Sequence, residues 1–472
     1  MLSKINLLAS LLLVAILSNA QSSFIAKPYL QIGYEAKPNS LELLWHTADS
    51  NAKWEVDLAT NNNWRKATSL SVNKISVKNI DPFIVYHAVL ENLIAGKAFK
   101  YRVLQNNKIV FESEGIAPKS ASQPYSFIAI GDIGAEKLDQ KKLAFIAHNY
   151  QPDFIAVPGD IVYNDGLISE YTKKFWPIYN ADEADSNGAP LMRKIPFIAA
   201  VGNHDADNND LDKYPDGLAY YYFWAQPLNG PKVSDFANAY PTFKASEINK
   251  NAFLAAAGKA YPVMNNFSYD YGNAHWLVID ADTYVDWTNK ELVEWVKQDL
   301  QKAANATWRF VMFHHPGFNS SREHFEQQQM RLLSPLFEAG KVDVVFNGHV
   351  HNYQRSYPLT FVPDCKGTLL VGGKDNKTYR GRVVNGKWTL DKNYDGVNNK
   401  KPKGVIYVVT GAGGADLYNP EQTNDPDSWQ KFTSKFFATA HSLSYVQING
   451  NSFKLQQVTA EGKVVDTFEI IK

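Results

Sequence analysis

The sequence has very little cysteine: Cys365 is the only one among 472 residues. An internal disulfide is therefore excluded, and the folded chain has to rely on its hydrophobic core, which a chain of this length can supply. No motif that would activate a thiol surrounds Cys365, so the sequence also argues against a catalytic cysteine.

A surplus of charge of one sign is missing as well. Lys and Arg together number 48, and so do Asp and Glu, which leaves a formal net charge of zero. Nucleic-acid binding and attachment to an anionic membrane both require a basic surface that this balance does not indicate. We therefore expect no nucleic-acid partner, while the oligomeric state stays open.

Long apolar runs are absent beyond the first twenty residues. Lys4 precedes an apolar run from Leu7 to Leu17, and Ser18-Asn19-Ala20 has the small-x-small pattern of a signal-peptidase site. A membrane anchor is the alternative, but the run is too short to span a bilayer. We predict a signal peptide at residues 1–20, cleavage after Ala20, and an exported protein, secreted or periplasmic, without stable membrane insertion.

Residues 21–118 are predicted to form an all-β domain. Short runs rich in β-forming residues alternate with Asn, Gly and Pro turns, and about seven strands fit a small β-sandwich. The stretch resembles a fibronectin type III-like domain, in which Tyr101 would take the place of a corner tyrosine. The runs are Leu41 to Trp45, Trp54 to Leu58, Tyr86 to Leu90 and Phe99 to Val103, with weaker ones near Tyr29, Ile75 and Val110.

Residues 119–472 show a different pattern, in which buried strands alternate with helices. This alternation predicts a layered α/β domain whose polar motifs lie on loops after the strands. The clearest helix spans Asn289 to Ala303, with Thr288 and Glu291 as an expected capping box. An Asn449-Gly450 turn predicts a terminal hairpin. The strand runs are Tyr125 to Ile130, Phe154 to Val157, Ile195 to Val201, Trp276 to Ile279, Phe310 to Phe313, Val342 to Phe346 and Val405 to Val409.

Two insertions interrupt this alternation. Residues 206–262 carry an aromatic cluster from Tyr220 to Trp224, and residues 356–403 are rich in Gly, Lys and Asn. Packing and loop formation are the simpler interpretation of both segments. The alternative is that they surround the functional site and select substrates.

Five short motifs concentrate the chemistry of the chain. Together they offer Asp, Tyr, Asn and His side chains, the mixed oxygen and nitrogen donors that suit two neighbouring metal ions. One carboxylate that bridges two cations would hold them roughly 3.5–4 Å apart, as in two-metal hydrolases. Of eleven histidines, six lie in or beside these motifs. In order, the motifs are Gly131-Asp132-Ile133-Gly134, Gly159-Asp160-Ile161-Val162-Tyr163, Gly202-Asn203-His204-Asp205, Val311-Met312-Phe313-His314 and Gly348-His349-Val350-His351.

The ordered set resembles the calcineurin-like metallophosphoesterase superfamily. The tyrosine of Gly-Asp-x-x-Tyr and the preceding β-domain make the similarity greatest to purple acid phosphatases. The resemblance implies that Asp132, Tyr163 and His351 bind Fe(III), and that Asp160 bridges to a second ion. That divalent ion, Zn, Mn or Fe, would be held by Asn203, His314 and His349.

The implied reaction is hydrolysis of a phosphomonoester by a metal-activated hydroxide at acidic pH. An imidazole would orient phosphate or protonate the leaving group. The candidates are His204, beside the ligand Asn203, and His324, where the family often has a pair of adjacent histidines but this chain has Glu323-His324. His315 is a further candidate that the usual pattern lacks, and Gln354 stands where a glutamate is common.

Other functions stay open on the sequence alone. The same core site could hydrolyse phosphodiesters, and a sugar- or sulfate-ester hydrolase could use similar metals. A binding or adhesion protein that retains the fold is a third alternative, although all seven metal-ligand positions are filled. The natural substrate and the identity of the divalent metal are not indicated.

Overall fold

The structure is a computed structural model that describes residues 24–60, 63–364 and 383–472. The predicted signal peptide, Cys365 and part of the 356–403 insertion lie outside these residues. No helix within the described ranges is both long and apolar enough to cross a membrane.

The amino-terminal part of the described chain contains eight strands instead of the seven expected. The additional strand, β4, has the polar and exposed sequence Asn-Trp-Arg-Lys, which carries no alternating apolar signal. The strands are β1 Ala26–Gln31, β2 Leu41–Ala48, β3 Trp54–Thr60, β4 Asn63–Lys66, β5 Ser69–Ile75, β6 Phe83–Leu90, β7 Ala98–Gln105 and β8 Lys108–Ile116.

These strands form two antiparallel sheets around one core. The sheet orders are β1-β2-β6-β5 and β4-β3-β7-β8. Trp45 from one sheet and Trp54 from the other share a buried cluster, with ring centroids 6.0 Å apart. The arrangement is a β-sandwich whose inner faces carry the large apolar side chains.

The remaining strands build two larger sheets and two short ribbons. The seven predicted strand runs correspond to β9, β10, β13, β15, β16, β17 and β21. The bounds are β9 Tyr125–Ala129, β10 Phe154–Val157, β11 Asn180–Asp185, β12 Gly188–Pro190, β13 Phe197–Ala199, β14 Phe267–Tyr271, β15 Ala274–Val278, β16 Trp308–Met312, β17 Val344–Asn347, β18 Tyr353–Ser356, β19 Leu359–Pro363, β20 Gly386–Leu390, β21 Ile406–Thr410, β22 Thr433–Phe437, β23 Ser442–Asn449, β24 Ser452–Thr459 and β25 Val464–Ile471.

The α-helices are mostly short. Three of them exceed ten residues, and the others are single turns or little more. They are α1 Leu138–Tyr150, α2 Ile168–Glu170, α3 Trp176–Tyr179, α4 Asn203–Ala206, α5 Tyr220–Phe223, α6 Glu247–Ala257, α7 Lys290–Lys302 and α8 Ser334–Ala339.

The two large sheets pack face to face with helices outside them. A six-stranded sheet has the order β13-β10-β9-β23-β24-β25, and a seven-stranded sheet has the order β14-β15-β16-β17-β21-β18-β22. Strands β9, β10 and β13 are parallel to one another, and so are β15, β16, β17 and β21. Apolar residues of both sheets, including Phe127 and Phe310, share one core. The layered α/β fold expected for residues 119–472 is confirmed.

Three local features depart from the sequence-based expectations or resolve them. Asn289, and not Thr288, caps α7 by accepting hydrogen bonds from the backbone N–H groups of Glu291 and Leu292. The terminal hairpin turns at Gly450-Asn451, and β25 extends it to three strands. The aromatic cluster from Tyr220 to Trp224 is buried in the core, which supports the packing interpretation of the 206–262 insertion.

The sandwich contacts the α/β region through specific bonds. The Tyr29 hydroxyl donates to the Phe223 carbonyl at 2.8 Å and lies 2.9 Å from His46 Nε2. The Tyr101 hydroxyl donates to the Arg193 carbonyl at 2.7 Å. Tyr101 therefore links the sandwich to the segment between β12 and β13.

Candidate metal centre

The predicted metal ligands come from loops that follow parallel strands of both large sheets. Asp132 follows β9, Asp160 follows β10, and Asn203 begins α4 after β13. His314 follows β16, while His349 and His351 follow β17. The carboxyl ends of these strands meet at one edge, where α/β folds place their functional sites.

The first group of four donor atoms consists of the Tyr163 hydroxyl oxygen and three atoms close to it. This oxygen lies 2.9 Å from Asp132 Oδ1, 3.0 Å from Asp160 Oδ2 and 3.1 Å from His351 Nε2. His351 Nε2 is also 3.4 Å from Asp132 Oδ1. All four side chains are buried.

The second group surrounds His314 Nε2. This nitrogen lies 3.1 Å from Asp160 Oδ2 and 3.2 Å from Asn203 Oδ1. Asn203 Oδ1 is in turn 2.9 Å from His349 Nδ1. Asp160, His314 and His349 alone already meet the spacing of a metal-binding cluster.

The two groups fit a pair of cations. Two ligands about 2.1 Å from one ion and at right angles to each other lie about 3 Å apart, which matches both groups. Asp160 Oδ2 belongs to both groups, as a bridging ligand must. Within the described residues, the ion-pair contacts of Asp132 and Asp160 are all with histidines, so no lysine or arginine already neutralises them.

The unused nitrogen of each imidazole is held by an oxygen acceptor. His314 Nδ1 lies 2.8 Å from the Pro158 carbonyl oxygen, and His351 Nδ1 lies 2.7 Å from the Asp416 carbonyl oxygen. A carbonyl oxygen only accepts, so these nitrogens carry the proton and leave the Nε2 lone pairs free for a metal.

The electrostatics of the metal-free site are unfavourable to the phenolate. Burial, followed by the charges of Asp132 and Asp160, raises the pKa of the Tyr163 phenol well above its usual value. Burial alone would lower the pKa of His314, but Asp160 reverses that effect and raises it to about 9. A cation bound beside these groups would favour the deprotonated form of each.

Glycines allow the motif loops to approach one another closely. A Cβ atom on Gly202 would lie 2.3 Å from both the backbone nitrogen and Oδ1 of Asp160. One on Gly159 would lie 2.5 Å from His314 Nδ1, and one on Gly411 would lie 2.6 Å from Asp132 Oδ2. Gly411 follows β21 and was not singled out from the sequence.

The three candidate catalytic histidines occupy different positions. His204 lies beside Tyr163, with ring centroids 4.4 Å apart, and its side chain is 32% exposed. His324 is half-buried, and its ring centroid is 4.0 Å from that of His349. His315 is buried behind the site, where its Nδ1 lies 3.6 Å from Asp282 Oδ1.

His204 also receives electrostatic support. Burial alone would lower its pKa, but the charge of Asp160 and the Asn164 carbonyl raise the pKa of His204 above its usual value. Its Nδ1 lies 2.7 Å from the Asn164 oxygen, which leaves Nε2 directed toward Asp160 at 3.9 Å.

Several residues beside the site carried no sequence-based role. Asp205 is buried and accepts hydrogen bonds from the Gly202 and Ile161 backbone N–H groups, which fixes the Asn203 loop. Gln327 Oε1 lies 2.5 Å from His349 Nε2. The Tyr418 ring stacks on His351 with centroids 4.1 Å apart. Asp205 lies inside one of the five motifs, whereas Gln327 and Tyr418 lie outside all of them.

A polar groove opens beside the second group of donors. It encloses about 650 Å³, far more than a phosphate requires, and His324 and Gln327 are among the residues that line it. Ser321, Arg322 and Gln430 supply hydroxyl, guanidinium and amide groups along it. Gln354 does not line the groove; it is buried and bonds to Ser320 and Asn319.

Comparisons with known proteins match two stretches of the chain to family models. The calcineurin-like phosphoesterase family model matches residues 125–353, which contain all the predicted metal ligands. The model for the iron/zinc purple acid phosphatase-like protein C domain matches residues 404–467.

Similar proteins agree with these matches. Purple acid phosphatase 23 of Arabidopsis thaliana is 23% identical over 392 residues, which cover 76% of this chain and 69% of that protein. Purple acid phosphatase 1 of Ipomoea batatas is 26% identical over 287 residues, 59% of this chain and 53% of that protein.

A solved structure shares the fold. The purple acid phosphatase from yellow lupin (Lupinus luteus) seeds superposes with a TM-score of 0.64 at 16% identity, covering 94% of this chain and 74% of that one. The chain therefore belongs to the calcineurin-like metallophosphoesterase superfamily, as a member that is similar to the purple acid phosphatases.

Proposed function

We propose that this protein is an exported acid phosphatase that hydrolyses phosphomonoesters with two metal ions. The observation that carries the proposal is the pair of four-atom donor groups that share Asp160 Oδ2. Family membership supports phosphoric ester hydrolysis as the reaction class.

The donor types favour different ions at the two positions. Asp132, Tyr163 and His351 would hold Fe(III), because a phenolate and a carboxylate are hard, anionic ligands. Asn203, His314 and His349 are neutral donors and would hold a divalent Zn, Mn or Fe. Asp160 would bridge the two ions.

When bound, the two ions would polarise the phosphoryl oxygens and lower the pKa of a bound water. His204 and His324 are placed to hold the phosphate or to protonate the leaving oxygen, since neither is fully buried and they lie beside Tyr163 and His349 respectively. The burial of His315 behind His349 favours a supporting role for that imidazole. The adjacent groove would receive the leaving group.

The proposal is tested by the colour and metal content of the purified protein. Two metal ions per chain and a visible absorption band from tyrosinate bound to Fe(III) are expected. Tyr163→Phe should remove that band, because the phenolate that causes it is gone. A wild-type protein that carries two metals yet shows no band, or a band that survives in Tyr163→Phe, would refute the ferric assignment.

Substrate class is tested with the same preparation. Nitrophenyl phosphate should be hydrolysed faster than bis-nitrophenyl phosphate if the natural substrate is a monoester. The reverse order would indicate a phosphodiesterase. Hydrolysis of neither compound after supplementation with iron and zinc would favour a binding or adhesion protein.

Domain organisation and export belong to the same proposal. Residues 21–118 would be a separate fibronectin type III-like domain, residues 119–472 the catalytic domain, and residues 1–20 a cleaved leader. The eight-stranded sandwich supports the first assignment. Amino-terminal sequencing of the exported protein should begin at Gln21, and a start at Met1 would refute cleavage.

A further inference from the structure

The three imidazoles that face the donor groups differ in what holds their other nitrogen. His314 and His351 each donate to a backbone carbonyl oxygen, as described above. His349 instead has Nε2 against a side-chain amide, at 2.5 Å from Gln327 Oε1. This contact is therefore the one of the three that a substitution can change.

We propose that Gln327 is a positioning residue that keeps the proton of His349 on Nε2 and so presents Nδ1 to the second metal ion. The inference rests on the proposed function, because it assumes that a cation occupies the group formed by Asn203, His314 and His349. It goes beyond that function by assigning a role to a residue that supplies no metal ligand.

The surroundings of His349 explain why it needs such a partner. His349 is buried, and the rings of His314, His315 and His324 pack around it with centroids 5.0, 4.0 and 4.0 Å from its own. A neutral imidazole has two tautomers, and its Nδ1 lies 2.9 Å from Asn203 Oδ1, which would accept a proton from the wrong one. An acceptor at Nε2 is what favours the tautomer that can bind a metal.

Gln327 is itself held in place for this task. Its backbone N–H donates to the His324 carbonyl oxygen at 3.1 Å, and the residue is buried where it lines the groove. An amide can turn its nitrogen toward the ring, whereas a carboxylate can only accept. Gln327 therefore specifies the tautomer less strictly than a glutamate would.

The test measures binding of the second metal ion. Gln327→Leu should weaken zinc binding to the iron-loaded protein by about 10–100-fold in Kd, the usual effect of removing such a partner. Gln327→Glu should tighten it, because a carboxylate fixes the proton on Nε2 and makes the ring more basic. Isothermal titration gives the affinities, and the tyrosinate band of the first ion should stay unchanged in both variants.

Gln328→Leu is the matched control. Gln328 is the next residue and is also buried, but its amide bonds to the Val384 N–H and the Phe325 carbonyl. This variant should lose stability without a change in zinc affinity. Equal zinc affinity in wild type, Gln327→Leu and Gln327→Glu would overturn the proposal.

A measurement without metal separates this inference from the proposed function. Nitrogen-15 NMR of the metal-free protein reports which ring nitrogen of His349 carries the proton, with His349→Gln used to assign the signal. The Nε2–H form should dominate in wild type and decline in Gln327→Leu. An unchanged tautomer would overturn the role of Gln327, even if the wild-type protein bound no metal and the proposed function itself had failed.

Discussion

Several side chains of the metal centre project from a strained backbone. Asp132, Asp160, His324 and His349 have φ angles of 61°, 53°, 57° and 67°, in the left-handed region that favours glycine. Each such residue costs roughly 1–2 kcal/mol. The loops aim their side chains at the expense of stability, which is a feature of sites selected for chemistry and not for folding.

Glycine should therefore be tolerated better than alanine at His349. His349→Gly should exceed His349→Ala in the free energy of unfolding by about 0.5–1 kcal/mol, because only alanine retains the strain at φ 67°. Urea unfolding of the metal-free variants measures this difference. The order should reverse at His351, which is not in the left-handed region, and the same order at both positions would contradict the explanation.

Alanine at Gly202 should destroy the centre without contacting a metal. The added Cβ would lie 2.3 Å from the backbone nitrogen and Oδ1 of Asp160, so the bridging carboxylate has to move. We expect loss of bound metal by elemental analysis and at least a 100-fold loss of activity. Gly450→Ala is the control: nothing lies within 4 Å of a Cβ there, and its backbone strain at φ 54° falls on the β23–β24 turn, so metal content and activity should be retained. Retention of both metals in Gly202→Ala would contradict the prediction.

At the scale of single residues, the sequence predicts the ligands that lie in a motif. It does not predict residues that only the fold brings to the site. The seven proposed ligands were recognisable because each follows a buried strand in a set order. Gln327 was not, since it lies in a run of three glutamines with no pattern, and only the fold brings it to His349. The tautomer that it favours is likewise invisible in sequence.

Among the strands, those with both faces buried were the easiest to predict. β10 Phe154–Val157 has the predicted bounds because four apolar residues stand between polar turns. β18 Tyr353–Ser356 was missed, since its sequence is polar although its residues are buried. Arg355 is neutralised by Asp466 at 2.7 Å, a partner from β25 that no local pattern indicates.

The contact between β15 and α7 provides a prediction about pH. His275 lies 2.7 Å from Asp270 and 2.8 Å from Asp299. Burial lowers its pKa, but the two carboxylates outweigh burial and raise the pKa of His275 to about 9. Since the folded value exceeds the unfolded value of about 6.5, this stabilisation is complete below pH 6.5 and is lost as pH rises through 9.

The free energy of unfolding of the wild type should therefore fall by up to about 3 kcal/mol relative to that of His275→Gln between pH 6 and pH 9.5. Urea unfolding at the two pH values measures the change. Asp270→Asn should make this pH-dependent change in stability smaller, because it removes one of the two carboxylates. A stability difference that does not depend on pH would show that His275 is already neutral in the folded protein.

At the scale of the whole molecule, the contact between the sandwich and the α/β region should weaken in acid. His46 is buried there against Phe223 and Trp176, and it bonds to Tyr29. Burial, followed by the charge of His87, lowers the pKa of His46 to about 3. The unfolded chain binds a proton near pH 6.5 that the folded chain does not, so stability falls as pH drops below 6.5.

His46→Gln should lack this dependence. Wild type should lose about 2–3 kcal/mol relative to the variant between pH 6.5 and pH 4.5, at about 1.4 kcal/mol for each pH unit. Thermal or urea unfolding at a series of pH values measures the loss. Parallel stability profiles for the two proteins would contradict the assignment of a neutral, buried His46.

The order of the two regions followed from the sequence, but their contact did not. A change from alternating β patterns to strand–helix alternation marks the two regions in the chain. The bonds between them join residues far apart in sequence, such as Tyr29 with Phe223 and Tyr101 with Arg193. No periodic pattern encodes such pairs, so the sequence does not indicate that Tyr101 bonds to Arg193.

The donor atoms of the centre are divided between the two large sheets, with Asp132, Asp160 and Asn203 on one side and His314 and His349 on the other. The two ions would therefore cross-link the two large sheets. A fragment that contained the strands of only one sheet would lack part of each ligand set. Tight metal binding therefore requires that both sheets have already assembled. Bound metal would then indicate that the six-stranded and seven-stranded sheets have packed together correctly.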